Sequence, residues 1–350
     1  MKKVFSLIGL MAVCISLSAS WVSPIAVPNL GDARLHIVGQ NAKNYHNNYD
    51  ATNKTCWTDE EFEEKTNKMA NVFNALQADI IVMCEVGRNN ENLLVYLSNA
   101  MSTLTGQSFT YVLDTFNPEV ASAGNYQSIK TGFVYNYDKL SAIGSSFSPY
   151  YSGDYVARMR IQLFYENETG EYFYLSGNHF KAKDGTADGG ESKRLTNVSY
   201  LLSTLSSLTE DPDILIMGDL NSYMGEQPVI ELQKAGYEEQ LVKYNPDAYT
   251  YNYYGEKGIL DHVMANSTMA AQITGAAAFN INNGEYANSW QYEYSDHDAV
   301  VVGLNLEEQE ETNVKHVSTT IPTAHKVIIN GKMYIMHNGK TYDIMGSRVE

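Results

Sequence analysis

Asp213-Ile214-Leu215-Ile216-Met217-Gly218-Asp219-Leu220-Asn221 is the stretch from which the architecture can be read. Residues 214–217 form a short apolar run, and Gly218 then opens a polar ending with one carboxylate and one carboxamide. A run this short, closed by a turn signal, reads as a β-strand. The construction recurs along the chain. Strands are expected at 35–40, 79–84, 132–137, 158–165, 172–178, 213–218, 259–264 and 298–304, several of them rich in Val, Ile, Tyr and Phe. The first ends in Gln40-Asn41, the second in Glu85 and the fifth in Asn178-His179-Phe180-Lys181. The seventh contains Asp261-His262, and Ser295-Asp296-His297-Asp298 leads into the last.

Helical patterns fall between these strands. Thr58 and Glu61 form a capping box, after which Phe62, Met69, Phe73 and Leu76 follow one face. Leu195, Val198, Leu202 and Leu205 repeat that spacing, and Pro228 opens a short helix that Gly236 closes. No internal repeat is visible. The pattern is an α/β (α+β) domain over residues 21–306.

The ends read differently. Lys2 and Lys3 precede an apolar run to about Leu17, and Ser18-Ala19-Ser20 supplies small residues for cleavage. Residues 1–20 therefore read as a secretory signal, too short to span about 30 Å of hydrocarbon. No stable membrane span is expected. Beyond Leu306 the acidic run from Glu307 and a Thr/Ser/Pro-rich stretch form a linker, 307–325. Residues 326–350, with Asn330-Gly331 and Asn338-Gly339 as turn signals, read as a small β-meander. Its ending resembles the sorting or anchoring tails of secreted and surface proteins in some Gram-negative bacteria. Cys56 and Cys84 remain after export; they could pair, but a buried free thiol at Cys84 is at least as well supported by its apolar surroundings.

With 24 Lys+Arg against 41 Asp+Glu, the 350-residue chain carries a formal charge of −17. Such a surface repels polyanions at long range, so an anionic substrate would need a local device such as a metal ion. The strand ends supply one. An Asp or Asn after a strand usually makes a turn, and a lone His usually satisfies a hydrogen bond. Six endings that all carry oxygen or imidazole groups are not explained by turns alone; they converge on one rim of a sheet. The chemistry that needs such a set is metal-assisted attack of water on a phosphodiester. A hard cation takes carboxylate and carboxamide oxygens, and a histidine with a carboxylate behind it moves or holds the proton.

Asn41, Glu85, Asn178-His179, Gly218-Asp219-Leu220-Asn221, Leu260-Asp261-His262 and Ser295-Asp296-His297-Asp298 also stand in the order found in the endonuclease/exonuclease/phosphatase superfamily. The chain resembles that superfamily, which includes deoxyribonuclease I and the apurinic endonucleases, over about residues 33–305. Within it the resemblance is to secreted bacterial nucleases. It implies a four-layered sandwich, two central β-sheets covered by helices. It also implies roles: Asn41, Glu85 and Asp296 as metal ligands; Asp219 and Asn221 positioning water and phosphate; His297, paired with Asp261, on the phosphate or as base; His179 opposite it. Lys181 and Arg194 would contact phosphate. One departure stands out: Ile129 occupies the place where deoxyribonuclease I has a glutamate supporting the histidine that corresponds to His179.

The expectation is a secreted, monomeric phosphodiesterase using Mg²⁺, with Mn²⁺ or Ca²⁺ as alternatives, and acting on extracellular DNA. The rivals are a phosphatase or sphingomyelinase-like phosphodiesterase, and a non-catalytic surface binding module. Tyr249-Thr250-Tyr251-Asn252-Tyr253-Tyr254 suits stacking or groove contacts better than membrane insertion.

Overall fold

The computed structural model describes residues 21–47, 58–88, 92–113, 129–150, 153, 155–208, 211–286, 289, 291–307, 324–329, 332–337, 340–343 and 348–349. In chain order the elements are β1 (Leu35–Tyr45), α1 (Asp59–Ala75), β2 (Ile80–Gly87), α2 (Leu94–Thr105), β3 (Phe109–Tyr111), β4 (Ile129–Asn136) and β5 (Leu140–Phe147). Then come α3 (Tyr155–Arg158), β6 (Met159–Glu166), β7 (Tyr172–His179), α4 (Glu191–Leu205), β8 (Ile214–Asp219), α5 (Gln227–Lys234) and β9 (Glu238–Glu239). The domain closes with α6 (Gln240–Tyr244), β10 (Tyr251–Tyr253), β11 (Glu256–Gly258), β12 (Asp261–Ala265), α7 (Ser267–Ala271), β13 (Ile273–Phe279) and β14 (Ala299–Leu304).

Two six-stranded sheets carry the fold, ordered β13-β14-β1-β2-β4-β3 and β5-β6-β7-β8-β12-β9. Each has one parallel pair at its centre, β1 with β2 and β7 with β8, and every other pairing is antiparallel. The sheets thus share one pattern of strand directions, an internal likeness that the sequence hides.

Alternation sorts the side chains into layers. Ile37, Ile80, Val82, Leu215, Met217 and Val263 meet between the two sheets. Val38, Ile81 and Met83 face outward against Met69 and Phe73 of α1 and Leu97 of α2. Ile214, Ile216 and Met264 face the other way, against Val198 and Leu201 of α4 and Val229 of α5. Helix, sheet, sheet, helix: the protein is a four-layered α/β sandwich. Among the described residues no helix is long and apolar enough to cross a membrane.

Local sequence set several boundaries. Thr58 caps α1, and both capping-box bonds form, Glu61 N–H to Thr58 Oγ1 at 3.2 Å and Thr58 N–H to Glu61 Oε2 at 2.9 Å. The strand expected at 158–165 starts one residue later, because Tyr155–Arg158 is a helical turn. β13, Ile-Thr-Gly-Ala-Ala-Ala-Phe, has weak β-propensity and forms because β14 offers it a ladder.

The signal segment 1–20, linker residues 308–323, Cys56 and both tail Asn-Gly pairs lie outside the described residues. The tail itself forms a four-stranded antiparallel sheet: β15 (Ala324–Ile329), β16 (Lys332–His337), β17 (Lys340–Asp343) and β18 (Arg348–Val349).

Candidate active site

Register decides where the second sheet's polar residues go. His179 and Asp261 stand directly opposite Asp219 on the neighbouring strands β7 and β12. Leu215 and Met217 point between the sheets, so the two-residue period sends Asp219 to the same side at the rim. Gly218 makes this possible. Its φ is +121°, and a Cβ there would lie 2.2 Å from the Asn178 carbonyl oxygen.

In the first sheet Asn41 follows the same period from Ile37, but Glu85 does not. Strand parity would turn it outward with Ile81 and Met83. Instead the β2–β4 register shifts between Met83 and Val86, and Glu85 adopts a left-handed φ of +60°. This bulge brings its carboxylate to Asn41, whose Nδ2–H donates to Glu85 Oε1 at 3.1 Å. A second irregularity, with Lys43 and Asn44 at positive φ, aims the Asn44 N–H at Glu85 Oε2, 2.9 Å away. Asn221 is also left-handed, at φ +48°. Such backbone costs of order 1–3 kcal/mol per residue and persists where surrounding structure enforces it, often at functional sites.

Asp219 Oδ2 is the hub. Asn41 Nδ2 donates to it at 2.9 Å and Asn221 Nδ2 at 3.2 Å. His179 Nε2 lies 3.7 Å away, and equally 3.7 Å from Glu85 Oε1; His297 Nε2 lies 3.9 Å away. Burial raises the Asp219 pKa against the pull of the two imidazoles. The histidines diverge. Burial depresses His179 to about 4, more than Asp219 can offset, so its ring is neutral. Burial also opposes the charge on His297, but Asp261 and Asp219 together outweigh it and hold the pKa well above the usual value. His297 Nδ1 is 2.7 Å from Asp261 Oδ2, both nearly fully buried.

Residues far apart in sequence hold this dyad. Thr250 Oγ1 accepts the backbone N–H groups of Leu260 and Asp261, each at 3.0 Å. Asn282 Nδ2 and Gln40 Nε2 donate to the His297 carbonyl at 2.7 and 3.1 Å, and Ser295 Oγ donates to the Asn41 carbonyl at 2.7 Å. Thr250 and Asn282 carried no sequence signal, since nothing in the chain shows that they return to this rim.

The remaining expected residues sit apart from the hub. Asp296 is at the mouth, 43% exposed, 3.9 Å from Lys43 Nζ. Lys181 pairs with Asp184 at 2.9 Å. The buried Arg194 donates to the carbonyls of Gly189 and Lys181, so both hold the loop after β7. His262 faces away, between Glu239 and the Ser222 carbonyl. Cys84 is free and buried, donating to the Asn178 carbonyl across the sheets. Ile129 is buried at the head of β4, and among the described residues His179 Nδ1 has no hydrogen-bond partner.

Carboxylates and imidazoles gathered where two central sheets expose their strand ends define a phosphoester hydrolase. The profile of the Endonuclease/Exonuclease/phosphatase family matches residues 57–297, and the chain belongs to that family. None of the curated proteins matches it. Solved structures share the fold. An endonuclease/exonuclease/phosphatase from Bacteroides vulgatus is 15% identical, with a TM-score of 0.55 over 78% of this chain and 99% of its own. TDP2 from D. rerio, complexed with a single-strand DNA product, is 14% identical, with a TM-score of 0.53 over 78% and 99%. A mannosyl-6-phosphatase from Bacteroides thetaiotaomicron is 13% identical, with a TM-score of 0.54 over 78% and 100%.

Proposed function

We propose that this hydrolase is an exported, divalent-metal-dependent phosphodiesterase that cuts DNA by attack of water. The observation that carries the reading is the Asp219 hub, with a neutral His179 on one side and a cationic His297 on the other. The twin-lysine, apolar and small-residue pattern of residues 1–20 supports export.

The donor chemistry fits a hard cation. Glu85 and Asp296 offer carboxylates, the latter at the open side, while the Asn41 side chain donates its Nδ2–H to Glu85 and carries an oxygen that accepts the Lys43 N–H. Asp219, Asp261 and His297 also bring donor atoms within 4.8 Å of one another. The 2.7 Å His297–Asp261 contact is a hydrogen bond, however, and leaves no room for an ion between them. A Mg²⁺, Mn²⁺ or Ca²⁺ ion held by Asn41, Glu85 and Asp296 would neutralise phosphoryl oxygen charge and stabilise the leaving oxygen.

The chain's own groups then divide the work. Asp219, its carboxylate made more basic by burial, takes the proton of the attacking water, and Asn221 orients that water. The His297 imidazolium, its Nδ1–H donated to Asp261, offers Nε2–H to a phosphoryl oxygen. At His179 the carboxylates facing Nε2 favour the tautomer protonated there, which lets a neutral ring donate from the opposite side.

A second reading, a sugar-phosphate phosphomonoesterase, is supported by the likeness to the mannosyl-6-phosphatase fold. One panel separates the two: plasmid nicking and oligonucleotide cleavage, with and without EDTA, beside mannose 6-phosphate and sphingomyelin. The proposal expects EDTA-sensitive cleavage of DNA. Turnover of the monoester alone would overturn it.

A further inference from the structure

An aromatic hairpin rises from the active site. The Tyr251 ring lies 4.7 Å from the His297 ring at 40°. From Tyr251 the strand β10 pairs antiparallel with β11, and three residues of extended chain carry the line about 10 Å outward. At the tip Tyr253 is 56% and Tyr254 93% exposed, their rings 4.7 Å apart.

The tip is built at a cost. Tyr253 pairs with Glu256, so Tyr254 and Gly255 form a two-residue loop with φ of +50° and +96°. Both values belong to a type I′ turn, which favours Asn or Gly at the first position. A bulky residue there is strained, and burial does not account for it.

The base of the hairpin is fitted to one more ring. A Cβ on Gly258 would lie 2.6 Å from Tyr223 Cδ1, so the glycine leaves room for the Tyr223 ring against β11. Cations edge the rings: Lys257 Nζ is 4.1 Å from the Tyr249 centroid, and Lys183 Nζ, which also pairs with Glu226, is 5.0 Å from that of Tyr223. In a chain of charge −17 this pairing of rings with ammonium groups is local chemistry of the kind that holds a single strand, bases on the rings and phosphates on the cations.

We infer that the β10–β11 hairpin with Tyr223 is a stacking platform for an unpaired nucleobase next to the cleaved phosphate, which makes single-stranded nucleic acid the preferred substrate. The inference rests on the nucleic-acid reading above. The reach from His297 to Tyr254 is one that a polymer spans and a sugar monophosphate does not, and a duplex keeps its bases stacked on one another rather than on the protein.

The test uses the full chain and three substrates: a single-stranded DNA oligonucleotide, the same strand with one baseless residue beside the cut, and the same sequence as a duplex. Tyr254→Gly removes the ring and the backbone strain together, and Tyr253→Ser is its companion. On the single strand each variant should raise KM about tenfold, within what stacking one base supplies. Wild type should show the same rise on the baseless strand, where the variants lose nothing further. The melting temperature of Tyr254→Gly should hold or rise, which separates lost binding from lost folding. Variants matching wild type on the single strand, or a wild type that prefers duplex, would overturn the platform while leaving the nuclease reading intact. A wild type that cleaves no oligonucleotide but hydrolyses mannose 6-phosphate would overturn both.

Discussion

Replacing Asp261 with Asn probes the centre of the mechanism, because the change is isosteric and removes one charge behind His297. The contact is 2.7 Å and buried at both ends. At an effective dielectric near 20, opposite charges about 4 Å apart attract by ~4 kcal/mol, and one pH unit corresponds to ~1.4 kcal/mol. Asp261 therefore holds the imidazolium against deprotonation and raises the pKa of His297. The sign follows from the raised pKa. Charge on His297 stabilises the fold fully below about pH 6.5, the ordinary histidine value, and that contribution is lost as pH rises through the elevated native value. A donor role for the imidazolium makes activity fall over the same range. In Asp261→Asn the alkaline limb of kcat/KM should move to lower pH, because the carboxylate that raises the His297 pKa is gone. Above pH 7 the loss should approach that of His297→Ala, about 10²–10⁴-fold, and the double variant should lose little more, since the pair acts as a unit. His179→Ala should cost less than His297→Ala. The assay is a pH series of kcat/KM on one oligonucleotide, with the His297 ring titrated by NMR. An unmoved alkaline limb, or losses that multiply independently, would show that Asp261 does not act through His297.

Glu85→Gln should keep the thermal midpoint within a few degrees and lower kcat/KM at least about a hundredfold at saturating Mg²⁺, since the proposed metal site would lose a carboxylate without loss of core. A variant that melts early yet keeps full specific activity in its folded fraction would make Glu85 structural. Gly218→Ala should cost more than about 3 kcal/mol in urea unfolding, because its Cβ would overlap the Asn178 carbonyl at 2.2 Å and φ is +121°; an unchanged midpoint would contradict the tight β7–β8 approach. Deleting Glu307–Glu350 should leave kcat/KM near wild type and alter export or surface retention, since the tail strand β15 meets the domain at β3 and β5, outer strands that carry none of the site residues. Loss of activity in a soluble, folded truncation would make the tail part of the catalytic domain.

Much of the sandwich is written locally. Ile214–Met217, Ile80–Cys84 and the α1 face of Phe62, Met69 and Phe73 carry the periods of strand and helix, and Thr58 with Glu61 caps α1 as its own chemistry dictates. The residue types at strand ends were legible for the same reason: a polar group that follows an apolar strand lies at a rim. Their mutual arrangement was not. Only the ladder register sets His179 and Asp261 on either side of Asp219, and only the bulge at Glu85 reverses the side to which its carboxylate points. Nothing in residues 79–85 encodes that reversal; it arises from pairing with β4, some 50 residues on. Thr250 and Asn282 escaped notice because their function is contact across long sequence separation. Residue chemistry and period are properties of a few neighbours, whereas register, strain and the proton affinities of buried groups arise only when distant segments exclude water together.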